Sequence, residues 1–439
     1  MPENQINIPF GGKRVCINLP ESWSVISELK PNAISPLTDI SGSLIEGLKR
    51  PIGSPPLDSK RLSEKKIVIV VDDISRPTPT YQFFQSLLKY LYGCGVRKED
   101  ILIITALGVH RSMTTEDLSR KIGRGAVEGI RWINHNYKDA GSHIEVGRTK
   151  RGTTVRLNKH LADAGIIICV GLIEPHPLLG FGGGLKMLLP GLAHEETIAE
   201  NHMQGVSGER FNYIGKRESP MRLDLEEAAM MLGKDIFIVN VILNQELKIC
   251  RFVCGDPVMA HREGVKISES MCAKDIGELA DVALVVSNPM NTDLRQGTKC
   301  IANAGGSVKE GGIILALLEC KFGIGDVAIP KIVIPHLYTL LRLILKLLGK
   351  GRILGFIDRF KKRAGVEERF LMHFSMQIAR KNHIFVYSDK LPRNTGKRIG
   401  LFRQFADLEE MLRQAERYAP KNARVYVFPH GGATYTVCR

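Results

Sequence analysis

The sequence predicts an α/β protein of two α/β domains with mainly parallel sheets, and an active site in the interdomain cleft. Three observations carry that expectation. Short apolar, β-branched runs alternate with stretches of helical periodicity. The alternation starts afresh after about residue 275. Unusual polar, histidine and glycine residues fall just behind the apolar runs, at the carboxyl ends of the expected strands, where open α/β sheets bind ligands. The domains are expected at 1–270 and 275–439, joined near residues 262–278, with the last segment returning to the first domain.

Lys65–Val71 (KKIVIVV) runs into Asp72-Asp73 and reads as a buried parallel strand feeding a loop. A helix pattern follows from about Thr80 to Tyr92. Ile101–Thr105 is a second strand, and Thr114–Ile122 a second helix with Thr114 or Thr115 as N-cap. Ile166–Val170 and Ile236–Leu243 are further strands. In the second domain Val282–Val286, Ile313–Leu317, Ile384–Tyr387 and Val425–Phe428 read as strands. Helix patterns at Asp293–Asn303, Leu337–Leu348, Glu367–Arg380 and Phe405–Tyr418 lie between them.

Composition narrows the class. With 439 residues and 44% hydrophobic content the chain can bury two cores. Its start, MPENQINIPFGGKR, has no apolar run behind a basic stretch, so a cytoplasmic protein is expected. Nine scattered cysteines fit reduced thiols, and Cys250 and Cys254 read as buried structural thiols, with no second pair to complete a zinc knuckle. Leu337–Ile357 carries too many charges for an uninterrupted span of about 20 apolar residues, so it reads as an amphipathic helix and turn. The net charge of +15 reads as dispersed, with one local cluster at Arg359–Arg363 (RFKKR) and no nucleic-acid-binding motif beside it. Neither a nucleic acid nor a membrane is therefore expected as partner; the oligomeric state stays open.

Four constellations carry chemistry. In Asp72–Pro79, two carboxylates and Arg76 sit in a proline-stiffened loop; an Asx turn and helix cap is the plain alternative. His110 follows a strand and precedes a helix, with Arg111 beside it, and imidazole suits proton transfer near neutrality. Glu174-Pro175-His176-Pro177 leads into Gly180–Lys186, then Pro190-Gly191 and Asn201-His202. Glycines there let a backbone approach a large ligand, but Met187 after Lys186 breaks the spacing of a phosphate loop. Last, Gln296 and Lys299 stand at i and i+3, on one face of an expected helix, as a plausible carboxylate clamp.

Taken in order, these residues resemble the lactate racemase family, from about Asp72 to Gly325 and more faintly to the C-terminus. Gly255-Asp256-Pro257, Ala260-His261, Gly311-Gly312-Ile313-Ile314, Glu319-Cys320 and Gly323-x-Gly325 add to the match. The resemblance implies a racemase or epimerase of a 2-hydroxy acid, an isomerase working by reversible hydride transfer through a 2-keto acid. It implies a nickel-pincer nucleotide (pyridinium-3,5-bisthiocarboxylic acid mononucleotide nickel) covalently attached at Lys186 in the N-terminal domain. By the same resemblance His110 and His176 are the acid/base pair, and His202 is the nickel ligand. Asp73, Ile74, Ser75 and Arg76 form the loop on cofactor and substrate, and Gln296 and Lys299 join Arg76 in binding substrate. The chemistry is coherent: no side chain accepts a hydride reversibly, so a cofactor must. The pincer supplies most metal ligands, which accounts for the lack of a multi-residue metal motif.

Three departures stand out. Gly182 occupies a position where serine is expected, Lys321-Phe322 replaces a more acidic pair, and Arg295 stands where lactate-specific members tend to carry an aromatic residue. A second cation beside the clamp favours an acid larger or more anionic than lactate. Two rival readings remain: a metal-dependent hydrolase using His176 and His202, which lacks an evident third ligand, and a non-enzymatic anion-binding homologue.

Overall fold

The computed structural model describes residues 4–207, 212–325, 327, 329–348, 352, 355, 359 and 366–438. Of the basic run Arg359–Arg363, all but Arg359 lies outside them. The chain folds as two compact units, one of Ala33–Met271 and one of Met1–Asn32 with Cys272–Arg439.

The chain opens with β1 (Gln5–Phe10) and β2 (Lys13–Asn18), an antiparallel hairpin, followed by β3 (Ser24–Glu28). It then enters the unit 33–271. There β4 (Ile67–Asp72), β5 (Ile101–Ala106), β6 (Arg131–Asn134), β9 (Ile166–Leu172), β12 (Ile236–Leu243) and β13 (Ile249–Gly255) form one sheet. Its order is β13-β12-β9-β4-β5-β6, parallel throughout except for the antiparallel β12–β13 edge. A small hairpin of β7 (His143–Arg148) and β8 (Thr154–Asn158) lies between β6 and β9 in sequence, and a second, of β10 (Pro175–His176) and β11 (Gly180–Phe181), follows β9. All residues of β4, β9 and β12 are buried, as continuous apolar runs require when helices cover both faces of a sheet.

The other unit holds β15 (Ala280–Val286), β16 (Val308–Leu317), β17 (His383–Tyr387), β18 (Arg403–Phe405) and β19 (Arg424–Phe428). Their all-parallel sheet runs β18-β17-β16-β15-β19-β3. The boundary expected at 1–270 is thus corrected. Residues 1–32 belong with the C-terminal half, because β3 is its edge strand and Ile8, Ile17 and Trp23 are buried in its core with Leu284, Phe385 and Val425. In the last segment, β20 (Tyr435–Cys438) pairs with β14 (Ala273–Ile276) of the same unit.

Helices largely follow the sequence pattern. Thr114 caps Thr115–Ile122 with a reciprocal capping box to Asp117. The pattern from Thr80 opens as a 3₁₀ turn, Thr80–Gln82, and becomes α-helical at Phe84. Phe405 belongs to β18, so the helix expected over Phe405–Tyr418 spans only Leu408–Glu416, where Asp407 caps it. The expected helix Asp293–Asn303 is two short ones, Leu294–Gly297 and Lys299–Ala304, broken at Thr298. The i, i+3 spacing therefore no longer places Gln296 and Lys299 on one face by itself.

Candidate active site

The sheet of the unit 33–271 reverses its winding at β4, which pairs with β5 on one side and β9 on the other. Ligands of open α/β sheets bind beyond the carboxyl ends of the strands at such a switch point. The carboxyl ends of these three neighbours lead into Asp72-Asp73, His110 and Glu174–His176.

Asp73 is buried, and its two oxygens do different work. Oδ1 accepts from Ser75 N at 2.7 Å, the Asx turn that the loop sequence suggests, while Oδ2 lies 2.9 Å from His110 Nδ1. Burial opposes ionisation of Asp73, but the His110 hydrogen bond and charge, with Arg76 and Ser75, outweigh it and hold the carboxyl below its usual range. An ionised carboxylate only accepts, so His110 Nδ1 is the donor. In the neutral ring this leaves Nε2 as the acceptor. The half-buried Arg76 thus acts on Asp73 through its charge.

Asp72 is wired separately. Burial pushes its pKa up against the pull of Lys121, whose Nζ is 2.6 Å from Oδ1 and also donates to Arg76 O at 3.0 Å; Thr78 Oγ1 donates to Oδ2. Lys121, a helix residue buried under this loop, gave no sequence signal.

The β10–β11 hairpin carries His176 opposite Gly180. His176 Nδ1 accepts from the backbone amides of Leu178 at 3.3 Å and Leu179 at 3.2 Å. An acceptor Nδ1 places the ring proton on Nε2. The two histidines are therefore wired in opposite senses: His110 offers an Nε2 acceptor, His176 an Nε2 donor.

Behind the hairpin the glycine loop is held from below. Gly184 N donates to Asn240 Oδ1 at 2.7 Å, His261 Nε2 donates to Gly182 O at 2.8 Å, and Arg222 Nη2 donates to Phe181 O. All three side chains are buried; burial lowers the Arg222 pKa to about 10 and that of His261 well below its ordinary value. Gly183 and Gly184 have φ of +73° and +60°, and a Cβ on either would press within 3.0 Å of Asn240, Ile173 or His261. At Gly182 a Cβ would meet nothing nearer than 3.4 Å, so space does not demand glycine there. Asn240 was legible, as the one polar residue in the apolar run IFIVNVIL; Arg222 was not.

The 3₁₀ turn Gly184–Met187 lifts Lys186 from this loop, half-buried. His202 lies on the helix Glu195–Ser207 and its Nδ1 donates to Ile198 O at 2.8 Å, a carbonyl one turn back. Burial first, then the Lys186 charge, lowers its pKa to about 4 despite that hydrogen bond. The ring is thus neutral near pH 7 with its lone pair on Nε2, the form a metal requires, and the backbone bond fixes that tautomer. Among the described residues no three His, Cys, Asp or Glu side chains group as metal ligands. The structure thus relates Asp73 to His110 and Lys186 to His202, and places His176 at the neighbouring strand end.

Gln296 and Lys299 lie in the other unit, behind β15. Asp293 caps their segment through Gln296 N at 2.9 Å, and backbone bonds from Leu294, Lys321 and Phe322 tie residues 291–294 to 320–323. Gln296 is buried and its Oε1 has no hydrogen-bond partner among the described residues. Lys299 and Arg295 are half-buried. All nine cysteines are free; Cys250 and Cys254 are buried, whereas Cys16 and Cys438 are exposed.

A parallel α/β unit with oppositely wired histidines and a neutral imidazole beside a lysine defines a class: an α/β protein with a cluster of fixed polar side chains at its sheet switch point. Comparison with known proteins points to a particular family. Residues 10–212 match the lactate racemase N-terminal domain. The chain is 25% identical over 440 residues to the lactate racemase of Thermoanaerobacterium thermosaccharolyticum, covering 97% of both. It is 32% identical over 290 residues to that of Lactiplantibacillus plantarum, covering 64% of this chain and 66% of the relative. The chain is thus similar to lactate racemases, over nearly its whole length in one of them. Its fold matches that of the T. thermosaccharolyticum lactate racemase apoprotein with a TM-score of 0.81 at 22% identity, over 99% of this chain and all of that one. A Thermotoga maritima protein matches at 0.64 and 17%, over 89% of this chain.

Proposed function

We propose that the protein is an isomerase, a racemase or epimerase of a 2-hydroxy acid. The observation that carries the reading is the opposite wiring of His110 and His176. Inversion through a 2-keto acid needs one group to take the hydroxyl proton and another to return one. His110, its Nδ1 fixed on Asp73, starts as an acceptor at Nε2; His176, its Nδ1 bound by two backbone amides, starts as a donor. Asp73 orients His110 and steadies its charge when protonated.

The residues present fit the cofactor that the family resemblance implies. A neutral imidazole with its lone pair on Nε2 suits one nickel bond, and Lys186, near enough to depress the His202 pKa, would carry the covalent link. When bound, the nickel-pincer nucleotide supplies the reversible hydride acceptor that side chains lack. The chain's own work is to hold the Lys186 loop rigid through Asn240, His261 and Arg222, and to move protons at His110 and His176. Asp73–Arg76 would face cofactor and substrate, and Gln296 and Lys299, with Arg76, would bind the substrate carboxylate.

Intact-mass and metal analysis of protein made with the cofactor pathway present tests the reading. A mass adduct on Lys186 with about one nickel is expected, absent in Lys186→Ala, and His202→Ala should retain less nickel. The same adduct mass on Lys186→Ala refutes the attachment; unmodified protein with zinc at His176 and His202 favours the hydrolase, and unmodified, metal-free protein favours the binding homologue.

A further inference from the structure

The helix Leu337–Leu347 is apolar on two opposite sides. One side seats it: Tyr338, Arg342 and Leu345 are buried, the Tyr338 hydroxyl accepts from Ile384 N at 3.1 Å, and Arg342 Nη1 donates to Ala379 O at 2.7 Å. The other side carries Leu340, Leu343, Ile344 and Leu347, at i, i+3, i+4 and i+7. They are 52, 59, 41 and 74% exposed. An ordinary surface helix turns polar residues that way. Ile332, Val333 and Ile334, in the segment leading into the helix, are exposed as well. Thus seven of the thirteen exposed large apolar side chains among the described residues fall within 332–347, which makes this a patch and not a scatter.

The charge of the chain is concentrated in the same stretch of sequence. Residues 331–363 contain nine Lys or Arg and one acid, so eight of the fifteen net positive charges lie in this stretch. The sequence reading of a dispersed charge is corrected accordingly. Lys331, Lys346, Arg352 and Arg359 are exposed.

We infer that the outward face of Leu337–Leu347, with the exposed Lys331, Lys346, Arg352 and Arg359, docks on an anionic membrane surface. Leucine and isoleucine on one face with lysine and arginine around it is the composition of a helix that lies in the headgroup–acyl boundary. Each cation near an anionic bilayer strengthens binding by about fivefold. Among the described residues no helix is long and apolar enough to cross a membrane, so the arrangement is lying on, and not spanning. The expectation of no membrane partner rested on the lack of a span and on a charge read as dispersed. A second copy of the chain fits the face less well, because pairing two such faces would bring like charges together. The inference is independent of the racemase reading.

Flotation of the full chain with phosphatidylcholine vesicles, with and without phosphatidylglycerol, tests it. Binding is expected to the mixed vesicles at low salt, weaker by about tenfold or more to phosphatidylcholine alone and at high salt. Leu343→Gln with Leu347→Gln should weaken it by about tenfold or more, with circular dichroism unchanged. No binding to mixed vesicles, or binding that the two substitutions leave intact, overturns the inference. Self-association that they abolish, without vesicle binding, overturns it in favour of a second copy.

Discussion

The loops at the two sheets' carboxyl ends differ in how completely they are wired. In the unit 33–271 the chemical side chains are fixed by the protein itself: His110 by Asp73, His176 by two amides, His202 by Ile198 O, and the Lys186 loop by three buried side chains. In the loop behind β15 the capping bond fixes the backbone, yet Gln296 keeps a buried Oε1 without a partner among the described residues. A buried polar atom left so costs stability that a bound ligand can return. The contrast teaches where pre-organisation has been placed. Under the proposed function, the groups that would handle protons are set in advance, and a group that would bind the substrate carboxylate is left to be completed.

Breaking the pre-wired region should cost most. Replacing His110 or His176 with Ala is expected to lower racemisation by about 10²–10⁴-fold, with the far-UV circular dichroism unchanged, measured by chiral chromatography of the product. If both single variants retain more than a few per cent of activity, the two rings are not the acid/base pair.

The loop behind β15 should give a smaller, selective effect. Arg295→Ala is expected to lower kcat/KM for the best substrate by about 10- to 150-fold, as the loss of one charge-assisted contact would. The panel is lactate, malate, 2-hydroxyglutarate and sugar acids. An equal loss on all of them, or lactate as the best wild-type substrate, removes Arg295 from specificity.

Two further changes sharpen the contrast through stability. Asn240→Ala strands Gly184 N–H in the interior and should cost about 1–3 kcal/mol in urea unfolding. A loss under half of that would mean the glycine loop finds another support. The smallest effect concerns pH. The folded-state pKa of Asp73 is depressed, so its ionised form stabilises the fold above about pH 4, and that contribution drains away as pH falls below it. Asp72, shifted upward, acts in the opposite sense but is present in both proteins. Melting temperature should therefore fall less steeply with acid in Asp73→Asn than in the parent; equal slopes would mean that the Asp73–His110 bond adds nothing to the fold.

What was legible followed physical signals of different range. The buried parallel strands announce themselves as continuous apolar runs, and Thr114 announces a cap, because both signals are local. β3 (SVISE) is mixed in polarity and becomes a strand only beside β19, so 1–32 were assigned to the wrong unit. His110, His176, Lys186 and His202 could be picked as residue types at strand ends, but not the partners that set their tautomers. The Asp73–His110 hydrogen bond gave no sequence signal, and Lys121 and Arg222 reach the loops from helices far away in sequence.

The assignment of residues 1–32 bears on how the protein is made. β3 leaves the ribosome well before β19, its neighbour in the sheet, where Ser24 pairs with Arg424. The unit 33–271 is an insertion within the other and holds all of its own strands, so it can fold while synthesis continues. Its host cannot close its sheet edge until β19 has been made, and β3 spends that interval as an unpaired strand.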